Sequence, residues 1–154
     1  MIRFLKDSTG SALIWAVFLT LILFTVSVVV YSGVMIYTKY QTCETEVQRA
    51  ATITTNMSMA NANVRDLELD VPAIPAEDYF YENLTETGWT MADGCWRRYE
   101  NGKLIYSLED MTVDIVGKTI RITATFAMPL PWGIGGIGEV HISLNVRSSV
   151  LYIE

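Results

Sequence analysis

The hydrophobic pattern changes character twice along this chain, and its first part is a long block without charge. No charged residue lies between Asp7 and Lys39, and residues 12–37 are almost wholly apolar (ALIWAVFLTLILFTVSVVVYSGVMIY). An apolar helix of about 20 residues crosses the roughly 30 Å hydrocarbon core of a bilayer. This block is long enough to cross with some tilt. We therefore expect a membrane-spanning helix over residues 11–38, preceded by a short leader, residues 1–10.

The second part of the pattern continues the helix beyond the apolar block. Residues 39–66 contain neither glycine nor proline, and small or apolar side chains recur there at spacings of four and three. These residues are Cys43, Val47, Ala50, Thr54, Met57, Asn61 and Val64. Such spacing marks one face of a helix and predicts a single unbroken helix from about residue 11 to 65. Ser8, Thr9 and Ser11 are all acceptable N-cap residues near its start. Pro72 and Pro75 end the pattern. Residues 75–87 could form a short helix that Pro75 opens and Gly88 closes.

The third part alternates with a period of two and predicts strands. The predicted strands are Cys95–Glu100, Lys103–Leu108, Thr112–Val116, Thr119–Met128 and Glu139–Ile153. Asn101-Gly102 joins the first two, and Asn-Gly between alternating runs is the strongest short-range hairpin signal. Gly117-Lys118 indicates a second hairpin, and a Pro/Gly loop (PLPWGIGGIG) precedes the last strand. Apolar side chains on alternate positions predict an antiparallel sheet with one dry face.

The dry face of the sheet needs a cover, and the second half of the long helix is the only long amphipathic element available. The sequence thus predicts an α+β fold. In this fold a long N-terminal helix, with a transmembrane half and an amphipathic half, packs on a four- to five-stranded antiparallel sheet. Residues 67–154 would form the α+β domain. We expect Ala50 and Met57 to be buried against Ile122, Phe126 and Leu144.

Charge is distributed unevenly about the apolar block. The residues before it carry a net charge of +1, and those after it carry 9 basic and 16 acidic side chains. Such an acidic domain is not suited to bind nucleic acid through its phosphates. Arg3 and Lys6 favour a cytoplasmic N-terminus, which would place the domain outside the cell membrane. A cleaved signal peptide would have a shorter apolar core and a nearby small-residue site, whereas the nearest A-x-A, Ala60-Asn61-Ala62, lies more than 20 residues beyond the block.

Two cysteines, Cys43 and Cys95, follow the apolar block. Outside the membrane they could form a disulfide. They could equally be two small buried apolar side chains. Together with His141, the single histidine, they are too few to predict a metal site. We expect no cofactor.

The sequence contains no catalytic constellation. His141 lies on the polar face of a predicted strand, where a solvated side chain is expected. The pairs Glu77-Asp78 and Glu109-Asp110 are adjacent in sequence, and we interpret them as charges at turns and helix starts rather than an acid–base pair. The motif GIGGIG, residues 133–138, lacks the Lys and Ser/Thr of a phosphate loop and opens onto a strand. We therefore do not expect an enzyme.

Small residues in the apolar block suggest a helix-packing face. Ala12, Ala16, Thr20 and Ser27 fall along one side of the helix, and small residues allow membrane helices to approach closely. Chance placement in a segment rich in small residues is the alternative. Trp15 at one end, and Tyr31, Tyr37 and Tyr40 at the other, fit the aromatic belts of a membrane span.

These features together resemble a known family. The short leader with Lys6, the Gly10-Ser11 boundary and the apolar stretch that continues as an amphipathic helix are similar to type IV pilin-like subunits. The run TIRITATFAMPLPWGIGGIGEVHISLNVRSSVLYIE resembles the C-terminal part of TadE-like pseudopilins. The resemblance implies a structural subunit of a type IV pilus-like, Tad or conjugation-related envelope machine. Its partners would be membrane lipid and other pilin-like or envelope proteins.

The same resemblance implies processing. A prepilin peptidase would cut after Gly10 and leave Ser11 as the new N-terminus. The chain departs from the family at the fifth mature position, where pilins usually carry Glu and this sequence has Trp15. In a filament that Glu neutralises the terminal amine of a neighbouring subunit within an apolar core, where a lone charge is costly. The departure favours a minor or membrane-resident subunit.

Two other functions stay open at this point. The protein could be an unprocessed signal-anchored envelope protein whose outer domain binds a protein partner. It could also be a membrane-anchored enzyme, which the absence of a nucleophile–base pair or a metal set disfavours. The first residue of the mature chain, Ser11 or Met1, separates the pilin-like subunit from the unprocessed anchor.

Overall fold

The computed structural model describes residues 8–61, 73–116, 119–134 and 137–149, and these ranges form an α+β fold. Its elements are α1 (Ser8–Asn61), α2 (Ala73–Glu86), β1 (Trp89–Ala92), β2 (Cys95–Glu100), β3 (Lys103–Val116), β4 (Thr119–Ile134) and β5 (Ile137–Ser149). The predicted fold class, a long N-terminal helix packed with an antiparallel sheet, is confirmed. The chain divides into two compact units at the bond between Thr38 and Lys39.

Helix α1 begins at Ser8, one of the three residues expected near its start. The last residues of the expected leader are therefore helical. Gly33 is the only glycine in its length after Gly10, and proline is absent from it, so nothing in the sequence interrupts the hydrogen-bond ladder. The helix ends at Asn61. The prediction extended it to about residue 65, and residues 62–65 lie outside the described part of the chain.

The five strands form one antiparallel meander in the order β1-β2-β3-β4-β5. Asn101-Gly102 makes the predicted β2–β3 hairpin with both residues at positive φ, 52° and 74°. The same geometry recurs at Asp93-Gly94, with φ of 53° and 77°, and creates a hairpin with β1 that was not predicted. Both turns suit the right-handed twist of the strands they join. The turn at Gly117-Lys118 lies outside the described residues.

One long strand, β3, replaces two predicted strands. Lys103–Leu108 and Thr112–Val116 were expected as separate elements, yet they pair with β4 as parts of the same strand. The register shifts between Glu109 and Thr112, where Asp110 has φ of 49°. This is a β-bulge, which inserts residues into a strand without ending it. The interpretation of Glu109-Asp110 as turn or helix-start charges was therefore wrong.

The core lies between the α1 residues after Thr38 and one face of the sheet. Every second residue of β4 from Ile120 to Met128 is buried, while Arg121 and Thr123 on the other face are exposed. Ala50, Ile122, Phe126 and Leu144 are each 0% exposed, which confirms these four residues of the expected core. Tyr40 of α1 contacts Phe126 edge to face, with ring centroids 5.6 Å apart.

The expected burial of Met57 was wrong, because its side chain is 46% exposed. The buried residues of α1 are Cys43, Val47, Ala50, Ala51, Thr54 and Thr55. They follow the natural helical period of 3.6 residues, whereas the alternating spacing of four and three used for the prediction averages 3.5. The mismatch rotates the pattern by about 20° in each heptad. Two heptads after Cys43 it has carried Met57 to the edge of the packed face, where its sulfur lies 3.9 Å from the Asn83 amide nitrogen.

Side chains of α1 also bind the edge strand β5. The Tyr40 hydroxyl donates to the Ser143 carbonyl (3.3 Å), the Gln48 amide donates to the Arg147 carbonyl (3.2 Å), and the Thr55 hydroxyl donates to the Ser148 hydroxyl (3.4 Å). The partners advance together along both elements, so β5 runs beside α1 in the same direction. The bonds from Tyr40 and Gln48 also occupy backbone carbonyls that an edge strand would otherwise leave open to another chain.

Helix α2 packs against both α1 and the sheet. The Asn83 amide donates to the Thr54 hydroxyl of α1 (3.2 Å), and the Tyr81 ring stacks on Trp96 with centroids 5.6 Å apart. The predicted short helix is confirmed, although it begins at Ala73, two residues before Pro75. Gly88 has φ of 93° and its N–H bonds to the Thr85 carbonyl, so it closes the helix as expected.

The packing of α1 on the sheet can be tested at Ala50. Ala50→Arg should lower the free energy of unfolding by about 3–5 kcal/mol, because it leaves an uncompensated charge in the core. The measurement is urea denaturation of the full-length chain in detergent micelles, followed by thiol labelling of the buried Cys43 in a Cys95→Ser background.

Thr45→Arg is the matched control for this substitution. Thr45 is exposed, and its hydroxyl bonds back to the Gln41 carbonyl of its own helix. We expect its effect to stay within about 0.5 kcal/mol. Equal unfolding free energies for the two variants would contradict the assigned core.

Candidate functional site

The part of α1 before Lys39 is an exposed apolar surface. Except for the half-buried Val28, its large apolar side chains from Leu13 to Val34 are 44–70% exposed, and the most apolar 18-residue window of the helix contains no buried residue. The helix is long and apolar enough to cross a membrane, and among the described residues it is the one helix that is. An apolar surface of this extent marks a site of contact with lipid or protein.

The hydroxyl side chains within this apolar surface are satisfied inside the helix. Each bonds to the carbonyl four residues earlier at 2.8–2.9 Å, and the set comprises Thr20, Thr25, Ser27, Ser32 and Thr38. An unsatisfied polar group in hydrocarbon costs several kcal/mol. The back-bonding removes that cost, so these residues are compatible with a lipid environment.

The predicted small-residue face lies within the same surface. Ala12, Ala16, Thr20 and Ser27 are all exposed. Ala16 and Thr20 line a shallow groove whose walls are Leu13, Val17, Leu21 and Phe24. A groove floored by small side chains and walled by large ones is a shape that a second helix can fill. Trp15 is 64% exposed and contacts Phe18 edge to face.

Gly10 and Ser11, the expected processing residues, lie in the first turn of α1. The first four N–H groups of a helix have no partner within the helix. Unwinding this turn therefore breaks few hydrogen bonds, and the bond between Gly10 and Ser11 can become extended at low cost.

A partly buried carboxylate, Glu46, joins α1 to three strands. One oxygen accepts hydrogen bonds from the Trp89 indole N–H (3.0 Å) and the Tyr106 hydroxyl (3.3 Å). The other oxygen lies 3.6 Å from an Arg98 guanidinium nitrogen. The registers Trp89↔Arg98 and Arg98↔Tyr106 place the three donors in one row across β1, β2 and β3. We call these four residues the Glu46 cluster.

The geometry around Arg98 extends the Glu46 cluster to α2. The second arm of the guanidinium donates to the Thr87 carbonyl at the end of that helix. A cation at this position also complements the negative end of the helix dipole. A Cβ atom at Gly88 would collide with the guanidinium, so the glycine is required for this approach as well as for its positive φ.

Burial beside Glu46 keeps two nearby acids protonated. Burial, with the Glu46 charge as the second cause, raises the pKa of the Tyr106 phenol well above its usual value. Burial and then the charges of Glu46 and Glu44 raise the pKa of the Cys43 thiol in the same way. A nucleophilic cysteine needs a lowered pKa, and here the shift has the opposite sign. The Glu46 cluster is therefore suited to hold elements together, and the Tyr106 hydroxyl remains a donor.

The Cys43–Cys95 disulfide is not formed in the structure. Cys43 is fully buried on the face of α1 that meets the sheet. Cys95 lies on the opposite side of the sheet, where it shares a groove with Arg97, Ser107 and Glu109. The sheet separates the two thiols. The alternative prediction was that both cysteines are small buried side chains. Cys43 fits it, whereas Cys95 is only half-buried.

His141 lies on the exposed outer face of the sheet, as predicted, but it has two acidic neighbours. Its ring nitrogens lie 3.5 Å from a Glu109 oxygen and 3.8 Å from a Glu139 oxygen. Regular pairing of Glu109 with Thr125, next to the Ala127↔His141 pair, places Glu109 on this face, which the sequence did not reveal. Within the described ranges no set of three or more His, Cys, Asp or Glu side chains is placed to hold a metal ion.

Comparison of the chain with protein-family models, with curated proteins and with solved structures finds no match.

The structural role of the Glu46 cluster can be tested by Glu46→Gln. The amide keeps the shape of the side chain but replaces one acceptor oxygen by a donor, so at least one of the three donors loses its partner. We expect the free energy of unfolding to fall by about 1–3 kcal/mol. Urea denaturation with Cys43 labelling, as for Ala50, measures it.

Glu44→Gln makes the same charge change two residues away and serves as the control. Glu44 lies outside the row of donors, and its substitution should have a small effect. Full stability of Glu46→Gln would show that the cluster contributes nothing to the packing of α1.

Proposed function

We propose that this protein is a single-pass membrane protein with a structural role, and that its folded domain is anchored through the first half of α1. One observation carries the proposal: the exposed apolar surface before Lys39 has every serine and threonine hydroxyl from Thr20 to Thr38 bonded within the helix. Such a surface is unfavourable in water and favourable in lipid.

The charges on either side give the proposed orientation. Arg3 and Lys6 lie within ten residues before the apolar block, and Lys39 is the one basic residue within ten residues after it. Basic residues close to a span favour the cytoplasmic side. The N-terminus would therefore be cytoplasmic and the α+β domain extracytoplasmic.

Within this class, a pilin-like subunit of the TadE-like type is the function that the features support best. The Gly10-Ser11 bond lies at the start of the span, in a turn that opens easily, and a prepilin peptidase would cut there. The groove at Ala16 and Thr20 provides a surface for another pilin-like or envelope protein. Trp15 in place of the usual Glu favours a minor or membrane-resident subunit rather than a major filament subunit.

The alternative function is an unprocessed anchored protein whose domain binds a protein partner. The observation in its favour is also Trp15. Cleavage would create a terminal amine at Ser11, and a chain with Trp15 in place of Glu has no carboxylate there to pair with that amine. N-terminal sequencing of the protein from its native membrane separates the two functions. A chain that begins at Met1 would favour the anchor.

Processing can be tested by Gly10→Val, which should block cleavage. The uncleaved chain would be about 1 kDa heavier than the mature one, from ten residues of average mass. Intact-mass spectrometry of membrane fractions measures the difference. Gly33→Val is the control, because a side chain at Gly33 meets open space and the change lies far from the cleavage bond. Identical masses for wild type and Gly10→Val would remove the main support for a pilin-like subunit.

Assembly can be tested by Trp15→Glu. In a membrane-resident subunit the change places an unpaired charge near the lipid interface and costs up to about 3 kcal/mol in insertion, less if the side chain reaches the headgroups. We expect the membrane fraction to fall and the fibre fraction to stay low. The measurement is the share of protein in sheared surface fibres and in membranes, with Trp15→Gln as the uncharged control.

Two results would contradict this expectation. Abundant wild-type protein in the fibres would show that the subunit polymerises without the carboxylate. An increase of the fibre fraction in Trp15→Glu alone would show that the usual pairing with the Ser11 amine operates.

A further inference from the structure

The end of the β4–β5 hairpin has an unusual combination of sequence and register. Regular pairing reaches Pro129↔Glu139 and resumes at Ile134↔Ile137, so β4 has three more residues than β5 in this interval. We call residues 130–134 and 137–138 the hairpin tip. The sequence from Ile122 to Gly138 contains no charged residue, and the tip includes Leu130, Trp132, Ile134 and Ile137.

The contacts of α1 fix which end of the domain carries the hairpin tip. Arg147 of β5 bonds to Gln48, and Ser143, four residues earlier, bonds to Tyr40. The N-terminal end of β5 therefore lies toward Lys39. Ile137 precedes Ser143 by six residues, which is about 20 Å of strand. The tip therefore extends past Tyr40, at the end of the domain where its first residue, Lys39, lies.

The covalent link at Lys39 brings this end of the domain to the membrane. Lys39 is bonded to Thr38, the last residue of the uncharged block. Lys39 itself therefore lies one peptide bond from the proposed span. The opposite end of the sheet is charged: Arg121 lies directly between Asp114 and Arg147, and Val116 there is 76% exposed. The end near Lys39 also carries charge, at Glu139 of β5 and at Glu100 and Lys103 of the β2–β3 hairpin. Within this end the hairpin tip itself is an uncharged segment next to charged residues.

We propose that the hairpin tip inserts into the interfacial region of the bilayer as a second membrane contact. Tryptophan is enriched in this region, where an apolar ring and a polar N–H are both accommodated. The shifted register interrupts the regular ladder. Irregular backbone can be hydrated among the headgroups but not in the hydrocarbon core. The contact requires the proposed membrane anchor but neither processing nor assembly of a pilin-like subunit.

The test places a fluorescent label at Trp132→Cys in the full-length chain with Cys95→Ser, reconstituted in phosphatidylcholine–phosphatidylglycerol vesicles. The buried Cys43 should stay unlabelled, which the parent chain verifies. We expect the label at 132 to emit at shorter wavelength, to be quenched by nitroxide-bearing lipid and to lose most of its quenching by aqueous iodide. Val116→Cys, exposed at the far end of the sheet, should show the reverse.

A third label at Val26→Cys, in the apolar block, separates this proposal from the membrane anchor. Lipid quenching at 26 with full iodide quenching at 132 would overturn the tip contact and leave the anchor intact. Protection of 132 from both quenchers would show that the tip packs on protein, its own domain or a second copy, and would overturn the contact with lipid. Absence of lipid quenching at 26 would overturn the anchor and the tip contact together.

Discussion

The folded domain depends on the burial of one face of α1 against the dry face of the sheet. Neither surface is stable alone in water, since β4 and β5 present an unbroken row of apolar side chains and the helix offers only a narrow apolar face. Ala50 and Ala51 at the centre of that face are small and fully buried, which allows the helix to approach the sheet closely. Large side chains on the sheet, such as Phe126 and Leu144, fill the space that the alanines leave.

Apolar packing alone does not fix where the helix lies along the sheet. The hydrogen bonds of the Glu46 cluster fix that position. A single carboxylate receives the Trp89 indole, the Tyr106 hydroxyl and the Arg98 guanidinium, one from each of three adjacent strands. Hydrogen bonds to a charged group are stronger than neutral ones and are lost if the helix slides by a turn. Arg98 also holds the end of α2 through Thr87, so one small network sets the positions of both helices on the sheet.

The sequence predicted the fold wherever the pattern was local. Alternation in β4 and β5 and the Asn101-Gly102 turn identified strands and their faces. Strand β1 was missed even though Asp93-Gly94 carries the same type of turn signal, because the strand has only four residues and no clear alternation. Glu46 could not be recognised, since a glutamate beside an apolar stripe usually lies in solvent and its three partners are 43–60 residues away. The β3 bulge and the approach of Glu109 to His141 also depend on strand pairing, which no local pattern encodes.

The first half of α1 shows how a segment with several polar residues can still suit a membrane. Thr20, Thr25, Ser27, Ser32 and Thr38 would each carry an unpaired hydroxyl in a strand or loop, but a helix offers each a carbonyl four residues back. In water this bonding weakens a helix slightly, because the same hydroxyls compete for the backbone. In lipid the competition disappears, and the bond becomes the only way to satisfy the group within the segment. Trp15 suits a membrane in a different way, because the interfacial region accommodates both its apolar ring and its polar N–H.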